Sequence, residues 1–469
     1  MGSSDESYAP GSFRDPHGRV LAGAGDVVRL LDATAAAEWR ALRESAFLRD
    51  AMDRGRIVRT RELGRLPEAA SDPRWTLALE HERVPFLCWP YEWPFGMMKD
   101  AALLHLDLLL EALAAGFTMK DGSAYNVQWR GVRPCFIDLG SFVRNARGGP
   151  WVGYAQFCRT MLSPLLLQAH LDVDFQPLLR GSIDGLDAAF VSRLFGGARR
   201  LRRGVLTHVY LQARLEDRLG AADRDVRGEL AAAGFDQRLV ESNVRRMRRL
   251  IASLEWRRGR SEWSEYDSEH GYGEDDLRRK EAFVRDAVAR LAPELCWDLG
   301  ANTGRYSAIA AAHSRWVVAA DADVLAVERH YRRLRRQGPA NVLPIVFDVA
   351  DPSPGLGFRG RERAGLEERG RPAMILALAL VHHLAIGSNL PLEALVAWLA
   401  GATTRGLVIE FVDREDPRVQ RMLRDRDGDD ANYCRERFES ALGRHFEVEA
   451  SLALEGRHRR LYRCSKRPA

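Results

Sequence analysis

Lysine is almost missing from this chain of 469 residues: Lys99, Lys120, Lys280 and Lys466 are the only four among 70 basic residues. A GC-rich coding sequence accounts for such a bias. Where a lysine survives, a compact ammonium suits the place better than a planar fork. Cysteine is scarce as well. The six cysteines (88, 135, 158, 296, 434 and 464) include no two separated by only two to four residues. That excludes zinc knuckles and thioredoxin-like motifs and leaves reduced, buried thiols; no metal centre is expected. No run of 18 apolar residues occurs. The best candidate, Met374 to Val381, breaks at His382, so no membrane span is expected. The opening Met-Gly-Ser-Ser-Asp-Glu lacks the basic start and apolar core of a secretory signal, and the expected compartment is the cytoplasm. A net charge of +5 marks no basic cleft, so nucleic acid is not an expected partner.

What is present is ordinary globular composition, 46% hydrophobic and 29% charged. The length allows two to four domains at ~100–200 residues each. Residues 1–17 read as a polar tail. Residues 18–255 form one region. A hairpin is expected over Val20 to Leu31, a helix over residues 34–54 and a short strand over Val84 to Trp89. A helix follows over Lys99 to Phe117, then two short strands at Asn126 to Trp129 and Pro134 to Ile137. Residues 151–255 read as mainly helical, with Val240, Val244, Met247, Ile251 and Leu254 as an apolar stripe and Arg245, Arg246, Arg248 and Arg249 as a solvated face. Residues 262–276 hold seven acids and neither lysine nor arginine. Residues 256–275 are therefore read as a linker or cap. Residues 276–469 alternate strand and helix patterns, which predicts an α/β domain with a doubly wound, mostly parallel sheet.

The chemistry concentrates in that second domain. The apolar strand Leu295-Cys296-Trp297 ends in Asp298 and turns through Gly300, Asn302 and Gly304 into a helix near Arg305. Glycines there admit close approach of a ligand to bare backbone. The Asp-x-Gly-x-x-x-Gly spacing is not the dinucleotide fingerprint. A second strand, Trp316 to Ala320, ends at Asp321, 23 residues after Asp298. A carboxylate at that place suits a ribose diol, because it accepts two hydroxyl protons. A third strand, Val342 to Phe347, ends at Asp348, beside the place for an exocyclic amine. A fourth, Ala373 to Leu380, leads to His382 and His383, and a fifth, Leu407 to Ile409, to Glu410. One strand-end acid is usually a solvated turn residue; the ordered series is what points to a cleft.

Asp298 to Gly304, Asp321 and Asp348 resemble the successive cofactor motifs of class I S-adenosylmethionine-dependent methyltransferases. The resemblance covers residues 276–469 and implies a seven-stranded Rossmann-like sheet with S-adenosylmethionine as cofactor. It implies that the Asp298–Gly304 loop holds the methionine part, that Asp321 binds the ribose and that Asp348 lies by the adenine. The candidate bases are His382 and His383, with Glu410 beside them. Packing under the cofactor, or capping a helix, is the structural alternative for either histidine. Further segments, Ser261 to Tyr266, His270, Tyr272, Lys280 to Val284, Asn389 to Glu393, Val419 to Leu423, Pro90 to Trp93 and Lys120 to Asn126, resemble a bacterial family of two-part methyltransferases related to a host-specific nodulation protein. The acceptor expected by that analogy is a small or sugar-like molecule.

The N-terminal half carries a second echo. Asp121, Asn126 five residues later, and Asp138-Leu139-Gly140 repeat the catalytic spacing of kinases, so residues 18–255 resemble an α+β kinase-like domain. No lysine precedes Lys99, so the phosphate-gripping strand lysine is missing, and Gly23-Ala24-Gly25 lacks the third glycine of a phosphate-covering loop. A degenerate module is expected. The alternatives to methyl transfer are a small-molecule phosphotransferase using Asp121, Asn126 and Asp138, or a non-catalytic cofactor-binding scaffold. Oligomeric state is not legible.

Overall fold

A computed structural model describes residues 8–21, 23, 25, 27–145, 150–213, 237–260, 273–424, 433–455 and 458–468. The chain divides into two units. One gathers Met1–Trp129, Pro134–Arg258 and Gly355–Arg363; the other gathers Arg130–Arg133, Gly259–Pro354 and Ala364–Ala469.

The first unit contains an antiparallel sheet of β1 (Gly18–Val20), β2 (Val27–Leu31), β3 (Thr60–Glu62) and β4 (Leu77–His81), in the order β1-β2-β4-β3. The helix expected over 34–54 is two, Ala33–Arg43 and Ala46–Asp53. Ser45 breaks it: its backbone is extended and its Oγ accepts the Leu48 N–H at 3.2 Å, an N-cap for the second helix. The strand expected at Val84 to Trp89 is absent. The strand lies upstream at Leu77–His81, and Pro85, which has no N–H to give a ladder, follows it.

The long helix spans Phe95–Ala114, four residues earlier than expected, because Pro94 serves as its N-cap; Gly116 ends it at φ +83°. Then come β5 (Phe117–Met119), β6 (Val127–Arg130), β7 (Arg133–Phe136) and β8 (Phe142–Arg144). β5 pairs with β8 and β6 with β7. Helix Gln237–Ser253 buries Val240, Val244, Met247, Leu250 and Ile251 and leaves Arg245, Arg246 and Arg249 exposed.

The second unit is built on β9 (Leu295–Leu299), β10 (Trp316–Asp321), β11 (Val342–Val346), β12 (Met374–Ala377), β13 (Gly406–Val412), β14 (Phe446–Leu454) and β15 (Arg459–Lys466). These seven strands form one sheet in the order β11-β10-β9-β12-β13-β15-β14. β9 to β13 are mutually parallel; β15 runs antiparallel to β13 and β14. β12 and β13 are buried along their whole length, as central parallel strands covered on both faces must be. β12 is shorter than the run Ala373 to Leu380, because Ala379 turns to φ +51°. β13 runs on to Val412, which puts Glu410 inside the strand rather than after it. The chain proceeds from β9 to β10 to β11, then crosses back to place β12 on the other side of β9. The strand order therefore reverses between β9 and β12, and in open α/β sheets ligands bind outside the carboxyl ends at that reversal.

Candidate active site

The loop after β9 is held against β10 by its own backbone. Gly300 and Ala301 both donate N–H to the Ala320 carbonyl, at 2.9 and 3.0 Å, and Gly304 donates to Ala301 at 2.7 Å. This tight path needs left-handed residues at Gly300 (φ +71°), Asn302 (φ +49°) and Gly304 (φ +84°). Gly304 has a second reason to lack a side chain: a Cβ there would stand 2.1 Å from the His330 ring. Asp298 is buried and accepts from Ser307 Oγ at 2.5 Å. Desolvation raises its pKa to about 7, with the charge of Asp321 adding to the rise.

Asp321 closes β10. One carboxylate oxygen accepts the Asn302 N–H at 2.7 Å and the other accepts the Asp323 N–H at 2.9 Å. Desolvation dominates here too and lifts its pKa to about 6, against the pull of those two N–H groups. Asp348 follows β11, is exposed, and accepts the Ala350 N–H at 2.8 Å. Its charge also contributes to the rise at Asp321, so the two carboxylates share one end of the sheet.

His382 and His383 follow β12, on the other side of the reversal point. Their rings lie 4.0 Å apart between centroids. His382 is fully buried, and neither ring nitrogen has a hydrogen-bond partner among the described residues. Burial holds its pKa well below the ordinary range, and holds that of His383 at about 4. Both imidazoles are therefore neutral at ordinary pH.

Glu410 is wholly buried in an ionic cluster. Lys280 Nζ donates to its carboxylate at 2.6 Å, and Arg459 lies 3.8 Å from the other oxygen while donating to Asp416 at 2.8 Å. The Lys280 ammonium also lies 4.9 Å from the Tyr306 ring centroid. Lys280 and Glu410 stand out in the sequence but their pairing does not, and Arg459, Asp416 and Ser307 do not stand out at all. The scarcity of lysine was a usable signal for the first; nothing local marks one arginine among so many. Ser261 to Tyr266, His270 and Tyr272 lie outside the described residues.

In the first unit, Asp121 and Asp138 are close enough to raise the pKa of Asp121, although its burial is the larger cause. Arg29 on β2 donates to Asp138 at 2.8 Å, with both side chains largely buried. A carboxylate oxygen holding a guanidinium is taken from any cation it was expected to ligate. Asn126 sits in a short helical turn, Ala124–Asn126. Among the described residues no group of three or more His, Cys, Asp or Glu side chains is arranged to hold a metal. The likeness to kinases finds no support among the proteins that this chain resembles.

The second unit has the Rossmann-like architecture that the resemblance to class I methyltransferases implies, with its glycine loop and acids at successive strand ends. No family model matches the chain. It is 33% identical to nodulation protein NoeA of Rhizobium meliloti (strain 1021) over 454 residues, 96% of this chain and 94% of that protein. The chain belongs to the family of nodulation protein NoeA. Among solved structures, N-methyltransferase NodS of Bradyrhizobium japonicum WM9 is 11% identical, with a TM-score of 0.32, covering 42% of this chain and 98% of its own. Magnesium protoporphyrin IX methyltransferase ChlM of Synechocystis PCC 6803, with bound SAM, is 16% identical, with a TM-score of 0.29, covering 45% and 87%.

Proposed function

We propose that the chain transfers a methyl group from S-adenosylmethionine to an oxygen or nitrogen of a small-molecule or sugar-like acceptor. The observation that carries this reading is Asp321. A carboxylate has about four lone-pair sites. Here each oxygen accepts one backbone N–H and keeps capacity for one more donor, at the end of the strand beside a glycine loop. Two such oxygens match a vicinal diol. The residues present thus fit the ribose of a nucleoside cofactor.

In this reading Gly300 and Gly304 keep the loop backbone bare for the methionine part, Asn302 and Asp298 hold the loop's shape, and Asp348 stands where an adenine amine would lie. The bound cofactor supplies a methyl already activated by a sulfonium. The protein's task is then alignment of the acceptor and removal of its proton. Glu410 is engaged by Lys280 and His382 is wholly buried, which leaves the half-buried His383 as the better-placed base of the two histidines. An acceptor oxygen or nitrogen that took the methyl, with S-adenosylhomocysteine leaving, would become cationic and acidic. A neutral imidazole of low pKa suffices to take the proton at that moment, at whichever ring nitrogen faces the acceptor.

The test is incubation of the full chain with methyl-labelled S-adenosylmethionine and a small-molecule extract. Label is expected in a small-molecule fraction. Label that stays on the cofactor, in a protein that binds it, would replace this reading with a non-catalytic scaffold.

A further inference from the structure

The first unit contains a cavity of about 130 Å³ that methyl transfer does not use. Leu113, Met119, Val143 and Val240 supply its apolar wall. Val152 also lines it and is 59% exposed. Thr118, Asn145 and Gln237 add polar residues to its lining, and Gln237 Nε2 is already engaged, donating to the Leu113 carbonyl at 3.1 Å and to Glu241 at 3.2 Å.

Among the described residues, the cation in this wall is Lys120. It is one of only four lysines in the chain, so an ammonium has been kept where arginine is otherwise the rule. Its Nζ has no hydrogen bond or ion pair among the described residues. The acid that acts on it is the neighbouring Asp121, and that interaction is a through-space attraction. Among the described residues, one point charge, three neutral polar residues and an aliphatic wall make up a lining of the kind that takes a small molecule.

We propose that this cavity binds a small organic monocarboxylate, its carboxylate on the Lys120 ammonium and its apolar body against Leu113, Val143 and Val240. One water-sized group needs ~10–15 Å³ of such space, so the cavity takes on the order of ten non-hydrogen atoms. Benzoate is of that size. Inorganic phosphate lacks the apolar body, and an amide of the same shape lacks the charge. The cavity is lined by residues of the first unit alone, so its failure would leave the methyltransferase reading of the second unit untouched.

The experiment is equilibrium dialysis of the full chain with radiolabelled benzoate, against benzamide and phosphate. Benzoate should bind roughly tenfold more tightly than benzamide, the margin expected for a charge-assisted hydrogen bond. Lys120→Gln should reduce benzoate to the level of benzamide. Val152→Glu, an exposed change that leaves the interior alone, should repel benzoate and spare benzamide. Three results would overturn the proposal: no benzoate binding, equal binding of benzoate and benzamide, or a preference for benzoate that survives Lys120→Gln. Displacement of benzoate by equimolar phosphate would also overturn it, as a mere anion site.

Discussion

Asp298 and Asp321 are carboxylates that the fold makes reluctant to ionise. Their folded values, about 7 and about 6, stand above the ordinary aspartate value of about 3.9. The sign follows directly. Their contribution to stability is whole below pH about 4 and is lost as pH rises through about 6 and then about 7. In the proposed reading a ribose diol would donate to Asp321 and favour its ionised form. Affinity for S-adenosylhomocysteine should therefore rise with pH up to about 6–7, then level off, and binding below that point should release a proton. Calorimetry in buffers of different ionisation enthalpy measures the release; uptake of a proton would contradict the role given to Asp321.

His383→Ala should lower turnover by roughly 10²–10⁴-fold once an acceptor is in hand, with affinity for S-adenosylhomocysteine little changed. A parallel loss of affinity would make His383 a packing residue. Gly304→Ala places a Cβ against the His330 ring at φ +84°, and should cost more than about 2 kcal/mol in a denaturant titration. The strand-end acids and turn glycines were legible because strand ends and turns are local features. The isolation of His382 was not, since its burial depends on elements far apart in the chain.

At the scale of elements, the Lys280–Glu410 pair joins helix Glu274–Leu291 to β13. Lys280→Met alone leaves a buried carboxylate with one fewer partner and should destabilise by about 3–5 kcal/mol; adding Glu410→Gln should recover most of that. Chemical denaturation of the two variants decides it. A single variant as stable as the double would mean that the pair is hydrated in solution. All five strands expected in the second domain occur, at shifted bounds. β12 stops early because a left-handed alanine follows it, and β13 extends because antiparallel β15 pairs along it from Gly406 to Val412. Neither neighbour is visible in a local window. The strand expected at Val84 failed for a reason the sequence did hold, since Pro85 stood inside it.

At the scale of the whole chain, the change of character near residue 260 lies close to the division between the units after Arg258. What no boundary argument could foresee is that Gly355–Arg363 groups with the first unit, where Glu362 pairs with Arg14 and Arg363 lies 4.1 Å from the Tyr125 ring centroid. Spacing alone also left open whether Asp138 was available to a cation, and Arg29 answers that from 109 positions away.

The central claim is that the second unit binds S-adenosylmethionine through Asp321. Calorimetric titration with S-adenosylhomocysteine, run beside ATP with magnesium, tests it most directly. The expected result is micromolar binding of the first and no heat from the second, with Asp321→Ala weakening the first by about 1–3 kcal/mol. Binding of ATP without S-adenosylhomocysteine, or an affinity unmoved by Asp321→Ala, would contradict the account.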